Sequence, residues 1–352
     1  MRAARIHDYG PPDVLRVDEV PDPQPGPRDL LVRVHAASVN PVDYKIRSGG
    51  QRALIHYTLP WILGLDFSGE VVAVGSRVTR FAVGDHVYGS PTHRRPGTYA
   101  ELLCVDERQA ARKPRNMSHA EAASIPLVGM TAWGALVVQG RLKAGQKALI
   151  HAGSGGVGTF AIQLAKSLGA YVATTCSARN VDLCRSVGAD EVIDYNEQRF
   201  DEVLKDYDYV LDALGGETRE RSFRVLRRGG RLATMIGGFP DATKKHGPWL
   251  GAPVALWGLV SLSVRGALRH RVSVHHVLRE PDGQLLDPIT ARIERGDIRA
   301  VIDRVLPLAE IAESHRYIET GRARGKIVID TITEAPPAPA ADPAPPPPSE
   351  EE

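Results

Sequence analysis

Six residues, Gly153-Ser154-Gly155-Gly156-Val157-Gly158, follow the short apolar run Ala148 to His151 and satisfy the spacing G-x-G-x-x-G. Glycines at these intervals serve phosphate binding. One makes a tight turn, one lets the backbone approach a pyrophosphate, and one lets helix and strand pack closely. N–H groups at the start of the following helix then face the phosphates, with the helix dipole favouring their charge. Alone the motif is weak, and a ligand-free glycine turn would account for it. Here its neighbours arrive in the required order. An amphipathic helix follows, with Phe160, Ile162, Leu164, Ala165 and Leu168 apolar, and stops at Gly169. A second apolar strand, Tyr171 to Thr175, closes a βαβ unit built for a dinucleotide.

The end of that second strand selects the dinucleotide. An NAD site wants Asp or Glu there to accept from the ribose 2′-OH. This chain offers Cys176, Ser177, Ala178 and Arg179, with no carboxylate before Asp182. A hydroxyl and a guanidinium suit a 2′-phosphate, so NADPH is the expected cofactor; a solvated polar loop is the competing reading.

The elements that must hold this unit extend both ways. Residues 1–123 read as short strands between Pro- and Gly-rich joints, among them 30–37, 69–75, 85–89 and 99–105. Residues 124–139 read as a helix leading into the cofactor unit, and 180–187 as another. The segments 188–195, 209–216 and 231–238 read as further strands, the last two ending in glycines where open α/β sheets gather their ligands. Leu214, at the end of one, and Ile236-Gly237, at the end of the other, are expected at the cofactor. With 352 residues, two domains are expected. A net charge of +2 argues against nucleic acid or an anionic membrane as the main partner. Cys104, Cys176 and Cys184 are too few and scattered for a disulfide framework or thiolate zinc site, and read as small buried hydrophobes. Met1-Arg2 runs into the first strand without a presequence pattern, so a cytoplasmic protein is expected.

Gly145-Gln146, Leu149, Gly155-Gly156-Val157-Gly158, Gln163 and Lys166 resemble the signature of the zeta-crystallin type quinone oxidoreductases, the zinc-independent branch of the medium-chain dehydrogenase/reductase superfamily. The likeness covers about residues 1–333 and is greatest to the reticulon-interacting, mitochondrial-type oxidoreductases and their bacterial relatives. Gly153 departs from the signature, which usually has Ser or Ala. The resemblance implies an α/β fold in two domains. A GroES-like, partly closed β-barrel domain takes residues 1–123 and, on the chain's return, 280–333. A doubly wound parallel-sheet (Rossmann) NADPH domain takes 124–279, with 240–270 inserted. The tail 334–352 is proline-rich and acidic and is expected to be disordered.

Both zinc sites of the superfamily can be checked against this sequence. Where a Cys ligand would stand, the chain has Ser38-Val39-Asn40-Pro41-Val42-Asp43; where Gly-His-Glu would stand, it has Gly64-Leu65-Asp66. No four-cysteine loop lies between His86 and Gly97, and His93 reads as a solvated histidine. No zinc is the expectation. By resemblance Asn40, Asp43, Tyr44 and Lys45 line the nicotinamide cleft. Tyr44 would donate a proton if Lys45 lowers its pKa, the alternative being packing under the barrel. The family pattern puts Thr131 beside the nicotinamide and Val128 on the pocket wall, with core packing as the competing view. Tyr57 and Trp61 read as flat walls for an aromatic or enone substrate. Tyr195 joins Ser177 and Arg179 at the adenosine phosphate, Ile236-Gly237 offers backbone groups to the carboxamide, and Lys326 approaches the cofactor phosphates. Residues 271–278 look like the edge strand that pairs with its twin in a homodimer. The insertion packs on its own domain, caps the substrate mouth, or, through 249–264, touches a membrane. The expected reaction is hydride transfer from NADPH to a quinone or other conjugated acceptor. Two rivals stand beside it: an enoyl-thioester or enone reductase, and a low-turnover, crystallin-like NADPH-binding protein.

Overall fold

The computed structural model describes residues 1–52, 57–235, 253–254, 256–277, 279 and 281–332. The expectations for Ile236, Gly237, Trp249-Leu250 and the tail 334–352 lie outside these residues.

The first part of the chain gives β1 (Arg2–Ile6), β2 (Leu15–Glu19), β3 (Asp29–Val39), α1 (Pro41–Arg47), β4 (Trp61–Ile62), β5 (Phe67–Val74), β6 (His86–Gly89), β7 (Leu102–Asp106) and β8 (Ala110–Arg112). Three of these strands form a small sheet, β2-β1-β4. The others join β15 (Ile302–Pro307) and β16 (Lys326–Asp330) in the order β15-β16-β3-β5-β6-β8, with β7 also on β3. Strand β3 makes this possible by being long: its start pairs with β7 and its end with β16, while β5 runs along its other edge. This sheet is therefore assembled from both ends of the chain.

Helices α2 (His119–Ala123) and α3 (Pro126–Trp133) lead into the second unit. The expected single helix over 124–139 is broken into two forms. After Trp133 the turns widen, and Gly140 N–H reaches five residues back to Ala135 O at 2.8 Å. Then come β9 (Lys147–Ile150), α4 (Gly156–Ser167), β10 (Tyr171–Cys176), β11 (Glu191–Asp194), β12 (Tyr207–Asp212), β13 (Leu226–Thr234) and β14 (Ser273–His276). They form one parallel sheet, β11-β10-β9-β12-β13-β14. The central strands read as unbroken apolar runs because helices cover both faces. Leu149, Ala173, Val210 and Leu232 pack into one cluster and Ala148, Ile150, Val172 and Leu211 into another.

Strand β14 is the edge of the parallel sheet among the described residues, as expected of 271–278. The last part of the chain supplies β15, the helix Ile311–Glu319 and β16. All three cysteines are buried and free.

Candidate active site

The glycine-rich turn is held open by its own packing. A Cβ at Gly153 would lie 2.0 Å from Thr174 Oγ1, and one at Gly158 would lie 2.2 Å from the Ala152 carbonyl oxygen. At Gly155 the nearest atom would be 3.4 Å away, so that position faces space. Helix α4 starts with Gly155 as N-cap and no side-chain cap, and Thr159 N–H is the one that reaches back to Gly155 O. The amides of Gly156, Val157 and Gly158 precede any intrahelical acceptor. A cradle a side chain would fill, fronted by donors, fits a dinucleotide pyrophosphate.

The residues expected at the adenosine end gather where β10 and β11 finish side by side, Cys176 opposite Asp194. Asn180 Nδ2 donates to Ser154 Oγ (3.0 Å) and Ser177 Oγ (3.2 Å), tying this end of the sheet to the turn. Arg179 is exposed, one Nη donating to Arg322 O. Tyr195 is 61% exposed, its amide bonded to Cys176 O. On the other side, Leu214 is exposed, and its amide and that of Gly215 are fixed by Asp212 Oδ1.

Facing the turn across the domain boundary is a buried polar cluster. Asp66 accepts from Ser38 Oγ (2.8 Å), Asn40 Nδ2 (2.8 Å) and Lys326 Nζ (3.4 Å) on one oxygen and from Leu127 N–H (2.8 Å) on the other. Lys326 Nζ also donates to Asn40 Oδ1 (2.7 Å) and Val39 O (3.1 Å). Its stem passes Gly156, where an added Cβ would meet Lys326 Cδ at 2.8 Å. Burial lowers the Lys326 pKa, while Asp66 and Asp43 work to raise it. Asp43, in the first turn of α1, accepts from Asn40 N–H (2.8 Å) and Tyr99 OH (2.9 Å), and its second oxygen is buried without a partner. Burial pushes its carboxyl up to about 7.

Several expected positions need correcting. Lys326, expected at the cofactor phosphates, lays its stem against Gly156 but commits its ammonium to three oxygens of the cluster. Tyr44 is not an activated phenol, because burial, and then the Glu319 carboxylate, raise its pKa. Lys45 supplies no ion pair to it among the described residues. Val128 is 4% exposed and packs beneath the turn against Gly156 rather than forming an open wall. Thr131 spends its hydroxyl proton on Leu127 O one turn back (2.7 Å). Tyr57 is buried and donates to His93 O (2.7 Å), with the Trp61 ring 5.2 Å away. Trp61, however, lines a cavity of about 340 Å³ with Arg5, Pro96, Leu102 and Cys104, apart from Asn40 and Lys326. His93 is not solvated; burial, then the Arg279 charge, depress its pKa to about 4.

Asp66 and Tyr99 were missed as site residues. A lone carboxylate inside the run Leu63-Gly64-Leu65-Asp66-Phe67 was the available signal for the first. Nothing in sequence flagged Tyr99, which backbone hydrogen bonds from Ala4 and to Leu63 bring in. Among the described residues no group of three or more His, Cys, Asp or Glu side chains is placed to hold a metal ion.

Comparison with known proteins agrees with this architecture. Residues 26–115 match the alcohol dehydrogenase GroES-like domain and 187–329 the zinc-binding dehydrogenase family. The chain is 35% identical to the mitochondrial NAD(P)H oxidoreductase RTN4IP1 of Danio rerio, over 94% of this chain and 92% of that one. It is 33% identical to a chloroplastic NADPH-dependent alkenal/one oxidoreductase of Arabidopsis thaliana, over 94% and 80%. The solved quinone oxidoreductase of Coxiella burnetii superposes with a TM-score of 0.82 at 33% identity, covering 94% of this chain and 99% of that one.

Proposed function

Because this chain belongs to the medium-chain dehydrogenase/reductase family and is an oxidoreductase, we propose that it transfers hydride from NADPH, without zinc, to a quinone or other conjugated carbonyl acceptor. One observation carries the reading. A single lysine side chain spans the distance from the phosphate cradle at Gly156 to the buried cluster of Asn40 and Asp66. Cofactor and acceptor would thus meet where the two domains touch. NADPH, when bound, supplies the hydride. The chain's part is to grip it, orient the acceptor and exclude water.

Gly155, Gly156, Val157 and Gly158 would hold the pyrophosphate, and Ser177, Arg179 and Tyr195 the 2′-phosphate end. Names of relatives that use NADPH and alkenals or quinones support this reading. The residues at the family's zinc positions do not suit a metal. Ser38 gives its proton to Asp66, and the Lys326 ammonium already occupies that carboxylate, so a dication would meet a like charge. A second copy is proposed to join at β14, whose outer edge has no partner strand among the described residues. Contact with a membrane through residues 249–264 is the rival for that face. No helix among the described residues is long and apolar enough to cross a membrane.

Steady-state oxidation of NADPH and NADH over a panel of quinones, enones and crotonyl thioesters tests the reading. NADPH should be preferred, and chelators should leave the rate unchanged. Arg179→Ala should raise the NADPH Michaelis constant by about tenfold, the worth of one charge-assisted contact, and leave NADH alone. Tight NADPH binding with no oxidation across the panel would instead favour a binding protein with little turnover.

A further inference from the structure

Arg279 follows the last strand of the parallel sheet and reaches across to the barrel. Its guanidinium donates to Ser90 O (3.3 Å), Ser90 Oγ (2.5 Å) and Pro91 O (2.9 Å). The Ser90 hydroxyl is itself anchored on Leu65 O, the residue before Asp66. These acceptors use only part of what a guanidinium offers, and Arg279 Nε is buried with no partner among the described residues. Among the described residues no carboxylate comes within ion-pair distance of it. It is nevertheless close enough to Asp66 and Asp43 for both to oppose the fall in its pKa that burial causes.

Its neighbours are also left open. His93, which feels the Arg279 charge, has Nδ1 buried and unpaired, and Asp43 has a bare Oδ1. The Tyr57 hydroxyl is pinned to the His93 carbonyl. Buried polar atoms are nearly always satisfied, so unpaired ones on Arg279 and on two residues that its charge reaches, with no carboxylate in ion-pair distance of the guanidinium among the described residues, point to a polar ligand. An anionic oxygen is the ligand that a bare guanidinium edge takes best. Lys326 cannot serve in its stead, being spent on Asn40, Val39 and Asp66.

We propose that Arg279 is the oxyanion-binding residue of this site, holding the acceptor oxygen that turns negative as a conjugated acceptor is reduced. The inference rests on the hydride-transfer reading. Hydride supplied by NADPH, whose own C–H bond breaks as it is oxidised to NADP+, would bring two electrons and a hydrogen nucleus to an acceptor carbon, form one C–H bond there and shift the π pair of the reduced acceptor onto the carbonyl oxygen. A solvent proton later neutralises that oxygen. A fixed cation facing it lowers the barrier without any metal.

A phenolate imitates that oxygen, so 4-nitrophenol titrated into the full chain, with and without NADP+, is the probe. Its absorbance reports ionisation independently of turnover. Bound to the unmutated protein, the phenol should ionise about one pH unit or more lower than free, a tenfold preference for the anion. Arg279→Met should abolish the shift, and Arg279→Lys should keep part of it. Arg279→Gln, which can still hydrogen-bond Pro91, covers the case in which Met unfolds the chain. No shift in the unmutated protein, or a full shift in Met or Gln, overturns the proposal. In turnover, the same neutral variants should lose about a hundredfold or more in kcat with NADPH affinity unchanged. A protein that shifts the phenol but oxidises no NADPH would retire the hydride reading and leave the anion site standing.

Discussion

Asp43 is a fully buried carboxyl that ordinarily ionises at 3.8 and here is held up to about 7, chiefly by burial. Between those values the folded chain keeps a proton that the unfolded chain has lost. Its favourable contribution is therefore complete below the ordinary aspartate value and is lost as pH rises through about 7. Asp43→Asn removes this titration while keeping an acceptor for Asn40 and Tyr99. Urea denaturation of both proteins between pH 4 and 8 should show the variant gaining on the parent with rising pH, by a few kcal/mol. A difference that does not change with pH would mean the carboxyl titrates normally. How much of the site could be read in advance also turns on particular residues. Family resemblance alone singled out Asn40, and the structure sets it between Lys326 and Asp66. Asp66 stood in plain view, but its four donors come from β3, the Asn40 cap of α1, α3 and β16, which only the tertiary fold unites. Tyr44 misled because sequence adjacency to Lys45 is not proximity of charges on a helix, where neighbours in sequence point to different sides.

At the scale of elements, the βαβ unit was fully legible, since periodicity and glycine spacing are local properties. The wide turns over Gly134–Gln139 were not, because the widening is settled by packing rather than by propensity. The glycine turn offers a test that separates shape from ligand. Gly158→Ala would thrust a methyl against the Ala152 carbonyl at 2.2 Å, so both stability and cofactor binding should fall. Gly155→Ala meets only that oxygen at 3.4 Å, so the melting temperature should barely move. Its methyl would still enter the space proposed for pyrophosphate, and NADPH affinity by fluorescence titration should drop at least about tenfold. Unchanged affinity in Gly155→Ala would place the phosphates elsewhere.

For the whole molecule, two features converge on one face. Strand β14 ends the parallel sheet, and the helical segment before it exposes Leu256, Trp257, Val260, Val264 and Leu268 while Leu262 and Gly266 face inward. Sedimentation velocity should find two copies, and Trp257→Ser with Leu268→Ser should shift the chain towards one. A chain that stays single yet floats with anionic vesicles would assign the face to lipid instead. The two lobes also share a backbone seam: Gly325 N–H donates to Ser154 O at 2.8 Å, and Gly155 bridges to Gly325 in parallel register. That seam runs through the loop proposed to cradle the phosphates, stitched from the barrel side. Parting the lobes would break these bonds, so on the proposed reading departure of spent cofactor and loosening of the jaws should go together.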